Sequence, residues 1–275
     1  MKNYQSILGM MLLVSVITIH TVAAQNEVKE QLVVPLTDPA KPGSLKVGLI
    51  NGSIKVVGYA GKDVVIDAES VINTRKERAD ENSQGMKRIT PRGGLEISAE
   101  EKNNKVEVSA QSVRQQVNLT IKVPHNFSLK VSTINNGEIS IENVAGDMEV
   151  NNVNGGIVLS NVSGSAVANT TNGAIKANFK SVANSPMAFT TLNGNVDVTF
   201  PATAKFNVKV RSDRGEVYSD FDIDVDKTAP KSNKTAQNGM YKVNIDDWIQ
   251  GKVNAGGSEI MMKNMHGNIY IRRAR

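Results

Sequence analysis

Four aspartates stand at every second position in the C-terminal third of the chain: Asp220, Asp222, Asp224 and Asp226. On a strand, where side chains alternate between faces, all four carboxylates would share one face. Crowded carboxylates repel, so something must compensate them. A hard, oxygen-preferring cation such as calcium is one candidate. Basic neighbours on a paired strand are the other, and Lys205, Lys209 and Arg211 precede the stripe at alternating positions. Cross-strand ion pairing is the favoured reading, because the spacing matches neither an EF-hand nor a glycine-rich nonapeptide calcium repeat. Other chemistries find little material. There is no cysteine, which removes disulfides and thiolate metal sites. His125 and His266 have no partner at metal-ligand spacing. Neither a Gly-x-Ser-x-Gly elbow nor a phosphate loop occurs.

One enzymatic constellation is worth weighing. Asn195-Val196-Asp197, Asp246-Asp247, His266-Gly267 and Arg272-Arg273 follow one another in the order in which sugar-cleaving β-helix enzymes use aspartates, a histidine and a basic residue. Two carboxylates flanking a glycosidic bond are what such hydrolysis requires. Each piece is only two or three letters long, and Trp248 is the only tryptophan available as a sugar platform. The expectation is therefore a non-catalytic chain without a cofactor, and a glycoside hydrolase-like, carbohydrate-active β-helix enzyme is the alternative.

The elements that would position these residues announce themselves through glycine. Gly137, Gly146, Gly155, Gly164 and Gly173 are nine apart. Asn136-Gly137, Asn154-Gly155 and Asn172-Gly173 alternate with Val144-Ala145-Gly146 and Val162-Ser163-Gly164, so the full period is 18 residues. A fixed short period marks one supersecondary unit stacked on copies of itself. Within each copy the apolar positions align. Ile139 matches Ile157 and Ile175; Ile141 matches Leu159 and Ala177; Met148 matches Ala166; and Val150 matches Ala168. Polar residues lie between them, which is the period-two signature of strands with one buried face. The shrinkage to alanine predicts a narrow interior there. Asn136, Asn154 and Asn172 coincide at this period, as do Asn143 and Asn161, and stacked asparagines form amide ladders. The Asn-Gly pairs predict tight turns with positive φ at Gly155 and Gly173.

Around this regular stretch (133–180) lie looser strands. Leu45-Val47, Ile54-Val56, Val64-Ile66, Leu95-Ser98, Val106-Ser109, Val117-Val123 and Phe127-Val131 precede it, with Asn103-Asn104 as a hairpin turn. Residues 25–43 read as an extended lead-in, 73–94 and 227–239 as polar loops, and Asp246-Asp247-Trp248-Ile249 could open one helical turn. Asn193-Gly194 and Arg214-Gly215 continue the glycine series at intervals of 21. The fold expected is all-β: a β-solenoid, β-helix-like, with two-strand repeats of about 18 residues and more irregular ends. An antiparallel meander is the competing topology. The lead-in and the basic tail of Arg272, Arg273 and Arg275 are expected to cover the ends.

The run Val117-Asn118-Leu119-Thr120-Ile121-Lys122-Val123-Pro124, then Leu129-Lys130-Val131, then Asn-Gly, Val-x-Gly and Asn-Gly, resembles a bacterial β-strand-repeat family of unknown function that carries an adhesin label. The resemblance is good from Val117 to Phe200. It implies a solenoid on the outer side of the bacterial envelope and brings no catalytic residues with it.

Residues 1–24 read as a cleaved secretory signal: Lys2, an apolar core from Ile7 to Ile19, and Val22-Ala23-Ala24 before Gln25. Residues 25–275 would then be one elongated β-strand-repeat domain, with no transmembrane segment in the mature chain. A net charge of +5 over 275 residues and 4% aromatic content argue against nucleic-acid partners. The functional expectation is an exported protein of the periplasm, cell surface or extracellular space. It would be an adhesin or scaffold whose partner is an envelope or host polysaccharide or protein.

Overall fold

The computed structural model describes residues 27–71, 96–111, 116–226, 232–237, 240–245 and 248–275. Residues 1–24, read above as a secretory signal, the polar stretch at 73–94 and Asp246-Asp247 lie outside the described residues. The N-terminal strands are β1 (Glu27–Pro35), β2 (Gly43–Asn51), β3 (Ile54–Tyr59), β4 (Asp63–Val71), β5 (Glu96–Lys102), β6 (Lys105–Gln111) and β7 (Gln116–Pro124). The central ones are β8 (Phe127–Asn135), β9 (Ile139–Glu142), β10 (Met148–Asn154), β11 (Ile157–Gly164), β12 (Ala166–Asn172), β13 (Ile175–Val182), β14 (Met187–Asn193) and β15 (Val196–Phe200). The C-terminal strands are β16 (Phe206–Arg214), β17 (Val217–Ser219), β18 (Ile223–Val225), β19 (Ser232–Gln237), β20 (Met240–Ile245), β21 (Ile249–Val253), β22 (Glu259–His266) and β23 (Ile269–Arg273). Among the described residues there is no helix, and none long and apolar enough to cross a membrane.

The strands form two large sheets. One runs β1-β4-β7-β3-β9-β11-β13-β15-β23-β17. The other runs β18-β21-β16-β22-β14-β12-β10-β8-β2-β6-β5. Successive strands of the repeats alternate between the two sheets, so the chain returns to each sheet in the same direction after 18 residues and pairs parallel with its previous pass. Ile157 stands opposite Ile139 and Ile175, and Met148 opposite Leu129 and Ala166. An antiparallel meander cannot give these pairs. Antiparallel pairing is confined to β1, β4 and β7 at one end, β5 and β6 likewise, and β16, β18 and β21 at the other, with β19–β20 as a separate hairpin.

Alternation decides which face is buried. In β8, Phe127, Leu129 and Val131 are buried while Lys130 is exposed. The Ile139–Ile157–Ile175 column is fully buried and continues through Ile54, Val196 and Ile269. Beside the small side chains of Ala168 and Ala177 the core also holds phenylalanine, Phe189 opposite Ala168 and Phe179 two positions beyond Ala177. Phe179 meets Phe189 edge-on at 6.1 Å and stacks on Phe200 at 5.6 Å; Phe200 then packs on Phe206 at 4.9 Å. Such rings bring large apolar area to a core that aliphatic residues alone would leave underpacked.

Several expectations need correction. The lead-in is extended as expected, but strand pairing begins earlier than Leu45: β1 pairs with β4 over nine residues and forms the edge of its sheet. The loop expected at 227–239 contains β19, which pairs with β20. At Trp248 the chain leads into β21 rather than a helix. The basic tail covers no end. β22–β23 is inserted between β14–β15 and β16–β17, so Arg272 and Arg273 lie within the stack of strands. The same happens at the other end, where β2–β3 sits between β6–β7 and β8–β9.

Candidate binding surface

Among the described residues the Asn-Gly corners repeat one side-chain geometry from unit to unit. A Cβ added to Gly155 would lie far inside contact distance of the Gly137 carbonyl. Gly173 stands in the same relation to Gly155, Gly194 to Gly173, Gly267 to Gly194, and Gly215 to Gly267. One glycine column therefore runs through seven two-strand units, from Gly52 to Gly215. The reason for glycine differs from the one expected. Gly155 and Gly173 are not at positive φ, although Gly52, Gly194 and Gly267 of the same column are; within the regular repeats the positive-φ residues are Asn136, Asn143, Asn161 and Gly164. At Gly155 and Gly173 it is the close approach of the next corner's backbone that excludes a side chain.

Inside this column runs a second one, of polar side chains. Thr133, Asn152, Thr170, Thr191, Asn264 and Ser212 are mutually in register. They donate in turn to the carbonyls of Gly52, Gly137, Gly155, Gly173, Gly194 and Gly267 at 2.8–3.1 Å. Polar groups buried at a corner need partners, and here one unit's hydroxyl or amide serves the glycine carbonyl of the unit stacked beside it. The sequence reading missed this column. Its signal is a polar residue three positions before the glycine, as in Asn152-Val153-Asn154-Gly155, Thr170-Thr171-Asn172-Gly173 and Asn264-Met265-His266-Gly267.

Outside the glycines lies the asparagine ladder. Asn154 donates to Asn135 at 3.0 Å, Asn172 to Asn154 at 2.9 Å, and Asn193 to Asn172 at 2.7 Å. Asn135, not Asn136, is the rung; Asn136 is the extra residue of its corner and donates instead to Asn51. A second ladder joins Asn161 to Asn143 at 2.6 Å. The first ladder's register continues into His266 and Arg214. Arginine only donates, so in the 3.0 Å contact the Arg214 Nη1 is the donor and the His266 Nε2 the acceptor.

Of the enzymatic constellation, the described residues bring Asp197 and Arg272 together and hold His266 in the other sheet. Asp197, on the outer face of β15, binds Arg272 in a two-pronged pair, Nε to Oδ1 at 2.7 Å and Nη2 to Oδ2 at 3.0 Å. That hydrogen-bonded carboxylate, with its charge, holds the Arg272 guanidinium above its ordinary pKa. His266 ends β22 in the other sheet and is engaged with Arg214; no hydrogen bond joins it to Asp197. Asp246 and Asp247 are outside the described residues. Two open depressions, of about 240 and 490 Å³, lie elsewhere, the first beside Leu32 and Ile97 and the second beside Lys180 and Lys205.

The aspartate stripe is also rearranged. β17 ends at Ser219 and β18 begins at Ile223, so Asp220 and Asp222 are not on the strand that carries Asp224. β18 pairs with β21 rather than β16, which places Asp224 opposite Lys252. Asp220 accepts from the Arg273 backbone at 3.4 Å. Lys209, expected as a partner of the stripe, lies 5.0 Å over the Trp248 ring. Among the described residues no three acidic or histidine side chains gather as a cation site.

What the structure does assemble beside Asp197 was invisible in sequence. Tyr218 and Tyr270 stack with centroids 5.4 Å apart and planes 12° apart, and the Arg272 guanidinium lies 5.0 Å over Tyr270.

A family model described as Toastrack DUF4097 matches residues 132–272, just over half of the chain. The chain belongs to this family. The Toastrack match spans both the regular repeats and the inserted β22–β23 unit. It also agrees with the adhesin-labelled β-repeat resemblance read from Val117 onward. Among solved structures, this Toastrack chain is similar to a candidate cell adhesion protein from Clostridium sporogenes, at 14% identity, over 90% of this chain and 100% of that one, with a TM-score of 0.41. It is similar to a candidate adhesin from Bacteroides fragilis at 12% identity, over 90% and 98%, with a TM-score of 0.42. A candidate lipid binding protein from Parabacteroides distasonis follows at 10% identity, over 90% and 97%, with a TM-score of 0.25. No curated protein matches the chain.

Proposed function

We propose that this Toastrack protein is an exported, non-catalytic envelope or surface protein. In this reading residues 25–275 are one elongated β-solenoid that acts by displaying its repetitive outer surface, as an adhesin or scaffold. The observation that carries the reading is the Asn135–Asn154–Asn172–Asn193 ladder. Four amides repeat at the spacing of neighbouring strands, about 4.8 Å, each bonded to the next. A periodic row of shallow hydrogen-bonding groups suits weak, multivalent contact with a repeating polymer. Ser140, Ser160 and Asn178 lie on the outward face of the other sheet, interspersed with Glu142, Val158 and Lys176. Asp197 supports the same reading, because a carboxylate held by both prongs of Arg272 is poorly placed to give or take a proton.

The test has two arms. Fractionation of the host, with the mass of the mature chain, is expected to find a product beginning near Gln25 outside the cytoplasm; an intact Met1 product in the cytoplasm overturns export. Incubation with peptidoglycan fragments and oligosaccharides is expected to release no new reducing ends. Turnover that disappears in Asp197→Asn or Asp246→Asn would establish the glycosidase alternative instead.

A further inference from the structure

We propose that Tyr218, Tyr270 and Arg272, with Asp197 and Asp220 around them, form a binding site for the flat face of a neutral pyranose ring. The proposal deepens the display reading and rests on it.

The two tyrosines are 52 positions apart in the chain. They meet because β23 inserts beside β17, which puts Tyr270 opposite Tyr218 in a parallel pair. Their 5.4 Å separation is close to the spacing of neighbouring strands. Each ring therefore stands with its face toward the next strand. Arg272 lies over the Tyr270 ring and completes one side of the stack. On the other side β17 is the last strand of its sheet. The far face of Tyr218 looks along the stacking direction to where no described strand follows, and the residue is 52% exposed. An aromatic ring held flat by a second ring, with one face open, is a preformed platform.

The occupant follows from shape and charge. β17 has only three residues, too few for another chain to add a strand by backbone pairing. What fits is a single flat ring in the place of the next rung. A pyranose offers a C–H face to the aromatic quadrupole and a rim of hydroxyls. The Asp220 carboxylate, two positions beyond Tyr218, would accept from that rim. Charge sets the ligand as neutral. Arg272 is already paired with Asp197, Arg214 is engaged with His266, and Glu216, Asp220 and Asp222 flank Tyr218 in sequence. A phosphate-bearing ligand such as a nucleotide would stack equally well but meet this acidic border.

The experiment titrates the mature full-length chain with three neutral tetrasaccharides, of N-acetylglucosamine, mannose and α-1,4-linked glucose. It is followed by the tyrosine ring resonances, with an oligothymidylate as the charged stacking control. At least one tetrasaccharide is expected to shift the Tyr218 and Tyr270 rings, with a dissociation constant of about a millimolar. Tyr218→Ala is expected to weaken it about tenfold or more, while Tyr218→Phe stays within about threefold; circular dichroism reports whether each variant is folded. No ring shift with any sugar, equal binding by folded Tyr218→Ala, or preference for the oligothymidylate each overturns the proposal. Reducing ends are measured in the same samples. Their release overturns the display reading and this proposal with it, whereas silence at Tyr218 without cleavage overturns this proposal alone.

Discussion

The Thr170 hydroxyl donates to the carbonyl of Gly155 at 2.8 Å, across the corner between two stacked units. The contact is one of six equivalent ones and explains why both residue types recur. Glycine lets the next backbone approach closely, and that approach leaves a carbonyl facing inward. A short hydroxyl or amide on the following unit then satisfies it.

Removing that hydroxyl while keeping the shape isolates the contact. Thr170→Val should lower stability by about 1–3 kcal/mol, the range for orphaning a buried acceptor, and Thr170→Ser should retain most of it. Urea denaturation with an unchanged slope is the measurement; equal stability of the valine variant would show that the Gly155 carbonyl finds water instead.

Asn264 fills the same slot but carries a surplus acceptor. Its Nδ2 serves Gly194 at 3.1 Å, whereas its Oδ1 is buried without a partner. Asn264→Thr, copying Thr170 and Thr191, should raise stability by about 1 kcal/mol. A lower thermal midpoint for this variant would mean that the lost side-chain volume outweighs the orphan oxygen.

Two adjacent glycines separate close approach from mere turn propensity. Gly155→Ala drives a methyl into the Gly137 carbonyl and should cost about 1–3 kcal/mol, as overpacking does. At Gly156 the added carbon would lie 3.3 Å from the Ala174 carbonyl, and Gly156→Ala should cost less than about 1 kcal/mol. Equal losses in the two variants would refute the column of close contacts.

The buried isoleucine column gives a graded series. Ile157 is fully enclosed between Ile139 and Ile175, so Ile157→Val should cost about 0.5–1.5 kcal/mol and Ile157→Ala about 2–5 kcal/mol. A flat response in chemical denaturation would contradict the register.

Acid should loosen the N-terminal end first. Glu101 accepts from the Asn104 backbone at 2.8 Å and from the Thr37 backbone and hydroxyl at 3.1 and 2.9 Å, tying the β5–β6 hairpin to the segment after β1. These hydrogen bonds, the Asn104 one foremost, hold its carboxyl below its ordinary 4.5. A depressed folded value means the contribution is complete above the unfolded pKa and is lost as pH falls through the folded one. Glu101→Gln should therefore flatten the decline in thermal midpoint below pH 4.5. An identical acid limb in the two proteins would dismiss the link.

The regular centre was legible in the sequence because its determinants are local. Ile139, Ile157 and Ile175 announce both strand and period, since side chains alternate every residue and like stacks on like. The Asn-Gly spacing located the corners as well, although the reason for Gly155 is a neighbouring backbone rather than its own φ. A polar residue three positions before a glycine was present in Asn264–Gly267 too, with His266 where the other units have an asparagine, yet its place in the stack was not. Parallel pairing between units is non-local, and any unit with a matching apolar face and corner fits several slots. Only the tertiary structure settled that β22–β23 enters between β14–β15 and β16–β17. That single choice placed Arg272 on Asp197, Tyr270 on Tyr218, and His266 beside Arg214. The apolar alternation written in the chain determined that two sheets form and which faces they bury. The order of strands, decided by which edges were free to be paired, determined which side chains share the surface.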